Sequence, residues 1–133
     1  VKKIKIGDKE LGLRASPLAL FYYQTEFNKD LMSDLMSLQS MAEINENDFS
    51  DFDSVKLLQI IYAMNRANNY GKEFPTFVAW LNGLEYMDLS DPEFILDAMD
   101  EAMDGFFRSL NGEYQKKAEE IKDKVSKSKS EKG

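Results

Sequence analysis

Residues 4–27 read Ile-Lys-Ile-Gly-Asp-Lys-Glu-Leu-Gly-Leu-Arg-Ala-Ser-Pro-Leu-Ala-Leu-Phe-Tyr-Tyr-Gln-Thr-Glu-Phe, and their hydrophobic period changes midway. In the first half Ile4 and Ile6 share one face of a strand, with Lys3 and Lys5 on the other. Leu11 and Leu13 repeat that spacing after Gly7-Asp8-Lys9-Glu10, which predicts a hairpin. A two-residue loop at Gly7-Asp8 pairs Ile4 with Leu11 and Lys5 with Glu10. A four-residue loop pairs Ile6 with Leu11 and Ile4 with Leu13, matching every apolar side chain, and is the register expected here. Either way one face is apolar, and a lone hairpin is marginal in water, so another element must cover it.

That cover follows directly. Ser16 suits an N-cap, and Pro17 suits the first helical position, where its missing N–H would go unused. Leu18, Phe21, Tyr22 and Thr25 form one stripe of the helix; Leu20, Tyr23 and Phe27 form a second. A helix apolar on most of its girth is central to a core or touches partners on two sides, and a 133-residue chain has little depth to hide it. Self-association through Leu18, Phe21, Tyr22 and Tyr23 is therefore expected.

These residues also carry a resemblance. Ile4-Lys5-Ile6-Gly7, then Leu11-Gly12-Leu13-Arg14, then Ser16-Pro17 and a helix ending Tyr23-Gln24-Thr25-Glu26-Phe27, resemble the tail assembly chaperones of long-tailed bacteriophages and prophages. The likeness covers residues 4–32; beyond it, only size, helical content, an acidic middle and a charged end agree. It implies a protein of the host bacterial cytoplasm, absent from the mature virion. Such proteins bind the long helical tape-measure protein and help tail-tube subunits polymerise around it. The resembling motifs are structural, so no catalytic residue comes with them. The family also implies a reading-frame shift near the C-terminus, for which Lys116-Lys117 and Lys132-Gly133 are candidate places.

Composition narrows the chemistry. The chain has no cysteine and no histidine, which excludes disulfides, thiol nucleophiles, zinc sites of the Cys/His kind and imidazole acid–base catalysis. Phosphate-cradling Gly-rich loops and Gly-x-Ser-x-Gly elbows are missing as well. We expect neither an enzyme nor a bound cofactor. No run approaches a membrane span and no basic-then-apolar leader is present, so a cytoplasmic protein is expected. The net charge of −7 is uneven. Residues 1–14 hold five basic and two acidic groups, and residues 113–133 seven and five; residues 15–112 hold five basic against 17 acidic. Such an acidic body repels nucleic-acid phosphates and suits a basic or amphipathic protein partner.

The remaining chain reads as helices. Leu31, Leu35, Leu38 and Ala42 fall at helical spacing, with Met32, Met36 and Met41 widening the stripe and Ser33, Asp34, Ser37 and Ser40 facing away. The stripe fits core packing, or a pliable surface for varied partners, since Met side chains are flexible and polarizable. Residues 43–53 form an acidic connector with Phe49 and Phe52; no register fits a calcium loop, and Asp51 or Asp53 caps the next helix. That helix runs from Ser54 to Asn69 and is again apolar nearly all round, stopping at Gly71. Pro75 opens a shorter helix around Trp80, read as a core pillar. Ser90-Asp91-Pro92-Glu93 starts the last core helix, which runs to about Ser109. Its apolar band includes Phe94, Ile95, Ala98, Met99, Ala102, Met103, Phe106 and Phe107, opposite a strip of Asp97, Asp100, Glu101 and Asp104.

The expectation is a mainly α fold: an N-terminal β-hairpin packed on about five helices over residues 1–112, and a charged tail over residues 113–133. Met32, Met36, Met99, Met103, Phe106 and Phe107 are the candidate client or self contacts. The acidic strip is either a solvated face or a docking strip for basic residues of a client. Besides the tail chaperone, the composition fits a small acidic cytoplasmic adaptor that binds a different protein.

Overall fold

In the computed structural model the described residues are 2–44, 53–88 and 93–108. The acidic connector with Phe49 and Phe52, the Ser90 capping box, and everything from residue 109 onward, including the predicted tail, lie outside them. The order is β1 (Lys2–Ile6), β2 (Lys9–Leu13), α1 (Pro17–Phe27), α2 (Leu31–Ile44), α3 (Ser54–Asn68), α4 (Phe77–Asn82) and α5 (Glu93–Phe106). The protein is mainly helical with one antiparallel N-terminal hairpin, as the sequence predicts.

The hairpin takes the shorter loop. Ile4 pairs with Leu11, Lys5 with Glu10 and Ile6 with Lys9, which corrects the four-residue register. Gly7 at φ 60° supplies the positive φ that a two-residue loop needs at its first central position, and its twist suits the flanking strands. Both registers keep the same parity, so the choice costs no burial: Ile4, Ile6, Leu11 and Leu13 are all buried on one face. Turn geometry, rather than one-to-one matching of apolar side chains, sets the pairing.

Ser16 occupies the N-cap of α1 in an extended conformation, with Pro17 just inside, but its hydroxyl makes no capping bond. α1 ends at Asn28, whose left-handed backbone (φ 54°) lets its N–H return to the Gln24 carbonyl. Asp30 then accepts from the Ser33 N–H and starts α2. Asp53 does the same for α3 through the Lys56 N–H, and Thr76, one residue after the expected Pro75, caps α4.

α3 is the axle of the molecule, touching β2, α1, α2 and α4. Leu57, Leu58, Ile60, Ile61, Tyr62 and Met64 are buried around its circumference, and Val55 alone of its large apolar residues stands out at 56% exposure. Its all-round apolar character is therefore absorbed within one chain. That removes α3 as a reason for self-association. α5 packs on β1 and α2, and its Gly105 passes so close to Ala15 that an added Cβ would meet the Ala15 carbonyl oxygen at 2.5 Å. Tyr62 joins three helices: its ring meets Phe27 at 5.9 Å, Phe77 at 5.5 Å and Trp80 at 5.5 Å in edge-on geometry. Its hydroxyl donates to the Pro75 carbonyl at 2.6 Å. Trp80 is a core pillar, as expected, at 5% exposure.

Candidate interaction surface

The four side chains expected to mediate self-association do not share one surface. Phe21 is open to solvent at 59% exposure. Tyr22 is half-buried beneath the Arg66 guanidinium, whose carbon lies 4.3 Å from the ring centroid, and Arg66 reaches Glu26 at 3.8 Å. Leu18 is half-buried against the core. Tyr23 is sealed inside, which corrects its assignment to a contact surface. It follows Ala19 by one helical turn, both are fully buried, and its hydroxyl donates to Asp34 on α2. That bond is what lets a phenol be buried here. Burial first, then the hydrogen bond and charge of Asp34, push the Tyr23 hydroxyl well above the ordinary phenol pKa. Asp34, expected to face solvent, is instead partly buried and also held by Lys29 at 3.6 Å.

The client-contact set divides in the same way. Met36 on α2 is exposed at 49% and Met32 is half-buried. Met99, Met103, Phe106 and Phe107 are half-buried and packed against the core, so they contribute rims rather than an open platform. α2 and α5 do touch, which sets the Met32 and Met99 helices side by side.

The acidic strip is partly answered from within. The Lys2 ammonium lies 3.3 Å from Asp97 and 3.6 Å from Asp100, because the hairpin lies across α5 and brings the start of β1 over it. Desolvation works against the Lys2 charge, but its hydrogen bond and attraction to Asp97, joined by Asp100, hold its pKa above the usual value. Glu101 is engaged as well, and Asp104 is exposed. The strip is therefore no row of uncommitted carboxylates. A like-charged helix face is stabilised by a cation from the adjacent strand.

Two features escaped the sequence reading. Asn65 is buried at 5% exposure in the middle of α3 and bridges Trp80 to the Gly12 carbonyl. Asn65 falls one and two turns after Ile61 and Leu58, on their apolar face of the helix, and that spacing was the available signal. The second is a groove of about 400 Å³ between β1 and the first turns of α5, lined by Lys3, Ile4, Lys5, Gly7, Glu10, Tyr86, Asp88, Glu93, Phe94 and Asp97. Tyr86 in this lining donates its hydroxyl to Asp8 at 3.1 Å. Among the described residues no cluster of three or more carboxylates is arranged to hold a metal ion, and no helix is long and apolar enough to cross a membrane.

Exposed Phe21 and Met36 can make apolar contacts with another polypeptide. No protein-family model, curated protein or solved structure matches this chain.

Proposed function

We propose that this chain is a tail assembly chaperone of a long-tailed phage or prophage, acting in the host cytoplasm as a homo-oligomer and absent from the finished virion. It binds the tape-measure protein, keeps that apolar helical client soluble, and assists tail-tube polymerisation around it. It uses no cofactor and catalyses no reaction.

The supporting observation is Phe21, open to solvent on the first helix of the resembling stretch. A large aromatic held outside while Tyr23, two residues on, is fully buried offers a contact that the subunit itself does not use. Met36 adds a second, deformable contact. The net charge of −7 keeps a protein with such side chains soluble.

Co-expression with the tape-measure protein of the same gene cluster tests this reading. The client is expected to move from the insoluble to the soluble fraction and to co-purify with the chain. A client that stays insoluble, or is soluble without the chain, overturns the assignment and leaves the adaptor reading.

A further inference from the structure

Asn82-Gly83 closes α4, and neither backbone nor packing among the described residues requires that glycine. Gly83 has φ −77° and ψ −12°, right-handed values open to any residue. A Cβ placed on it would come no nearer than 3.4 Å to the Lys9 Nζ or the Trp80 carbonyl oxygen, which is ordinary contact. Asn82 is exposed, and its side chain takes no part in the bonds that hold the helix end. What the missing side chain leaves open is chemistry: no bulk on Gly83 shields its backbone nitrogen from the Asn82 amide one residue before it.

The helix end holds that nitrogen back. The Gly83 N–H donates to the Ala79 carbonyl at 3.2 Å and to the Trp80 carbonyl at 3.1 Å, and the Leu84 N–H donates to Leu81 at 3.0 Å. Thr76 fixes the other end by accepting from the Ala79 N–H. Between them Trp80 is buried, with its indole on Asn65. A nitrogen so held cannot lose its proton to solvent, or swing toward the neighbouring side chain, until the last turn opens.

We propose that Asn82 is a deamidation site gated by α4, so that the chain keeps an irreversible record of time spent with this helix open. When the turn frays, solvent hydroxide takes the Gly83 amide proton and the nitrogen attacks the Asn82 Cγ. The new N–C bond forms, the bond to the side-chain nitrogen breaks, and that nitrogen takes a proton from water and leaves as ammonia. Water then opens the five-membered imide at either carbonyl, giving aspartate or isoaspartate at position 82. Both products resist reclosure. They put a negative charge beside the carbonyl end of α4, and isoaspartate also adds a methylene to the backbone two residues after Trp80. The mark therefore falls next to the indole that ties α4 to α3. This inference is independent of the tail-assembly reading, because it needs no client.

The test follows ammonia loss by mass spectrometry in the full chain, incubated at mildly alkaline pH both folded and in unfolding guanidinium chloride. Trypsin releases residues 73–108, in which Asn82 is the only amide side chain, so the mass change of that peptide reports this site alone. Loss in the unfolded chain is expected to run roughly tenfold or more faster than in the folded chain. Gly83→Ala fits the same backbone and is expected to suppress the loss roughly tenfold in the unfolded chain, where no effect of the fold enters. Thr76→Ala loosens the start of α4 and is expected to speed the loss several-fold in the folded chain while leaving the unfolded rate unchanged. Should Thr76→Ala unfold the chain, the folded-to-unfolded ratio and Gly83→Ala still decide. Equal rates in folded and unfolded chains, no ammonia loss at Asn82 in either, a Gly83→Ala rate equal to the native one, or a folded-state rate that Thr76→Ala leaves unmoved would each overturn the proposal.

Discussion

The indole Nε1 of Trp80 donates to the Oδ1 of Asn65 across 3.0 Å, inside the core. The same amide donates through Nδ2 to the Gly12 carbonyl at 2.9 Å, so one buried side chain ties α4 and β2 to α3. Asn65→Leu strands an N–H and a carbonyl at once. The expected loss is about 2–4 kcal/mol, read from urea unfolding, with the slope of the transition unchanged. Trp80→Phe in the Asn65→Leu background costs less than in the native chain, because the indole N–H has already lost its partner.

Gly105→Ala separates local propensity from packing. In an exposed helix this substitution stabilises by up to about 1 kcal/mol. Here the new Cβ meets the Ala15 backbone, and α5 must shift away from the β2–α1 connection. A net loss of about 1–3 kcal/mol is expected. A rise in melting temperature would show that the close approach does not hold.

Tyr23→Phe removes the hydroxyl that donates to Asp34, at an expected cost of about 1.5–3 kcal/mol near neutral pH. It also changes the alkaline limb of stability. The folded-state pKa of Tyr23 is raised, so its contribution is fully present below the unfolded tyrosine value of about 10. Above that pH the unfolded chain releases a proton that the native chain retains, and stability falls as pH climbs. The Tyr23→Phe chain is expected to lose stability less steeply between about pH 9 and 11. Some slope remains, because burial and the nearby Glu26 raise Tyr62 too. Urea midpoints measured across that range check both statements.

Lys2→Ala tests the cation over the acidic helix face. Lys2 and Asp97 are both about a third exposed and Asp100 is far more open, so screening keeps the effect below about 1 kcal/mol. The difference between native and variant chains is expected to shrink as salt is raised. A loss that salt does not touch would mean that packing of the lysine stem, not charge, is what matters.

Phe21→Ser with Met36→Ser tests whether the exposed apolar groups serve another chain. Both side chains are about half or more exposed, so the folded monomer is expected to change by less than about 0.5 kcal/mol per site. Client solubilisation in co-expression is expected to drop. Tyr23→Ser provides the contrast: it empties a core position and is expected to unfold the subunit rather than merely uncouple it from a client.

Local rules carried much of this architecture. Alternation in residues 4–13 determined a hairpin with Ile4, Ile6, Leu11 and Leu13 inward; Ser16-Pro17, Asp53 and Gly71 marked helix boundaries that depend on backbone conformation within a few residues. These outcomes need no distant partner, so they are legible in sequence. Register, and the fate of each apolar or charged face, depend on what the chain brings opposite. The two-residue turn overrode side-chain matching, α3 found enough neighbours to bury every large apolar residue but Val55, and Tyr23 went inside because Asp34 came within reach. Lys2 arrived over Asp97 from the far end of the described chain. A helical period tells which residues share a face, but only tertiary packing decides whether that face meets core, cation or water.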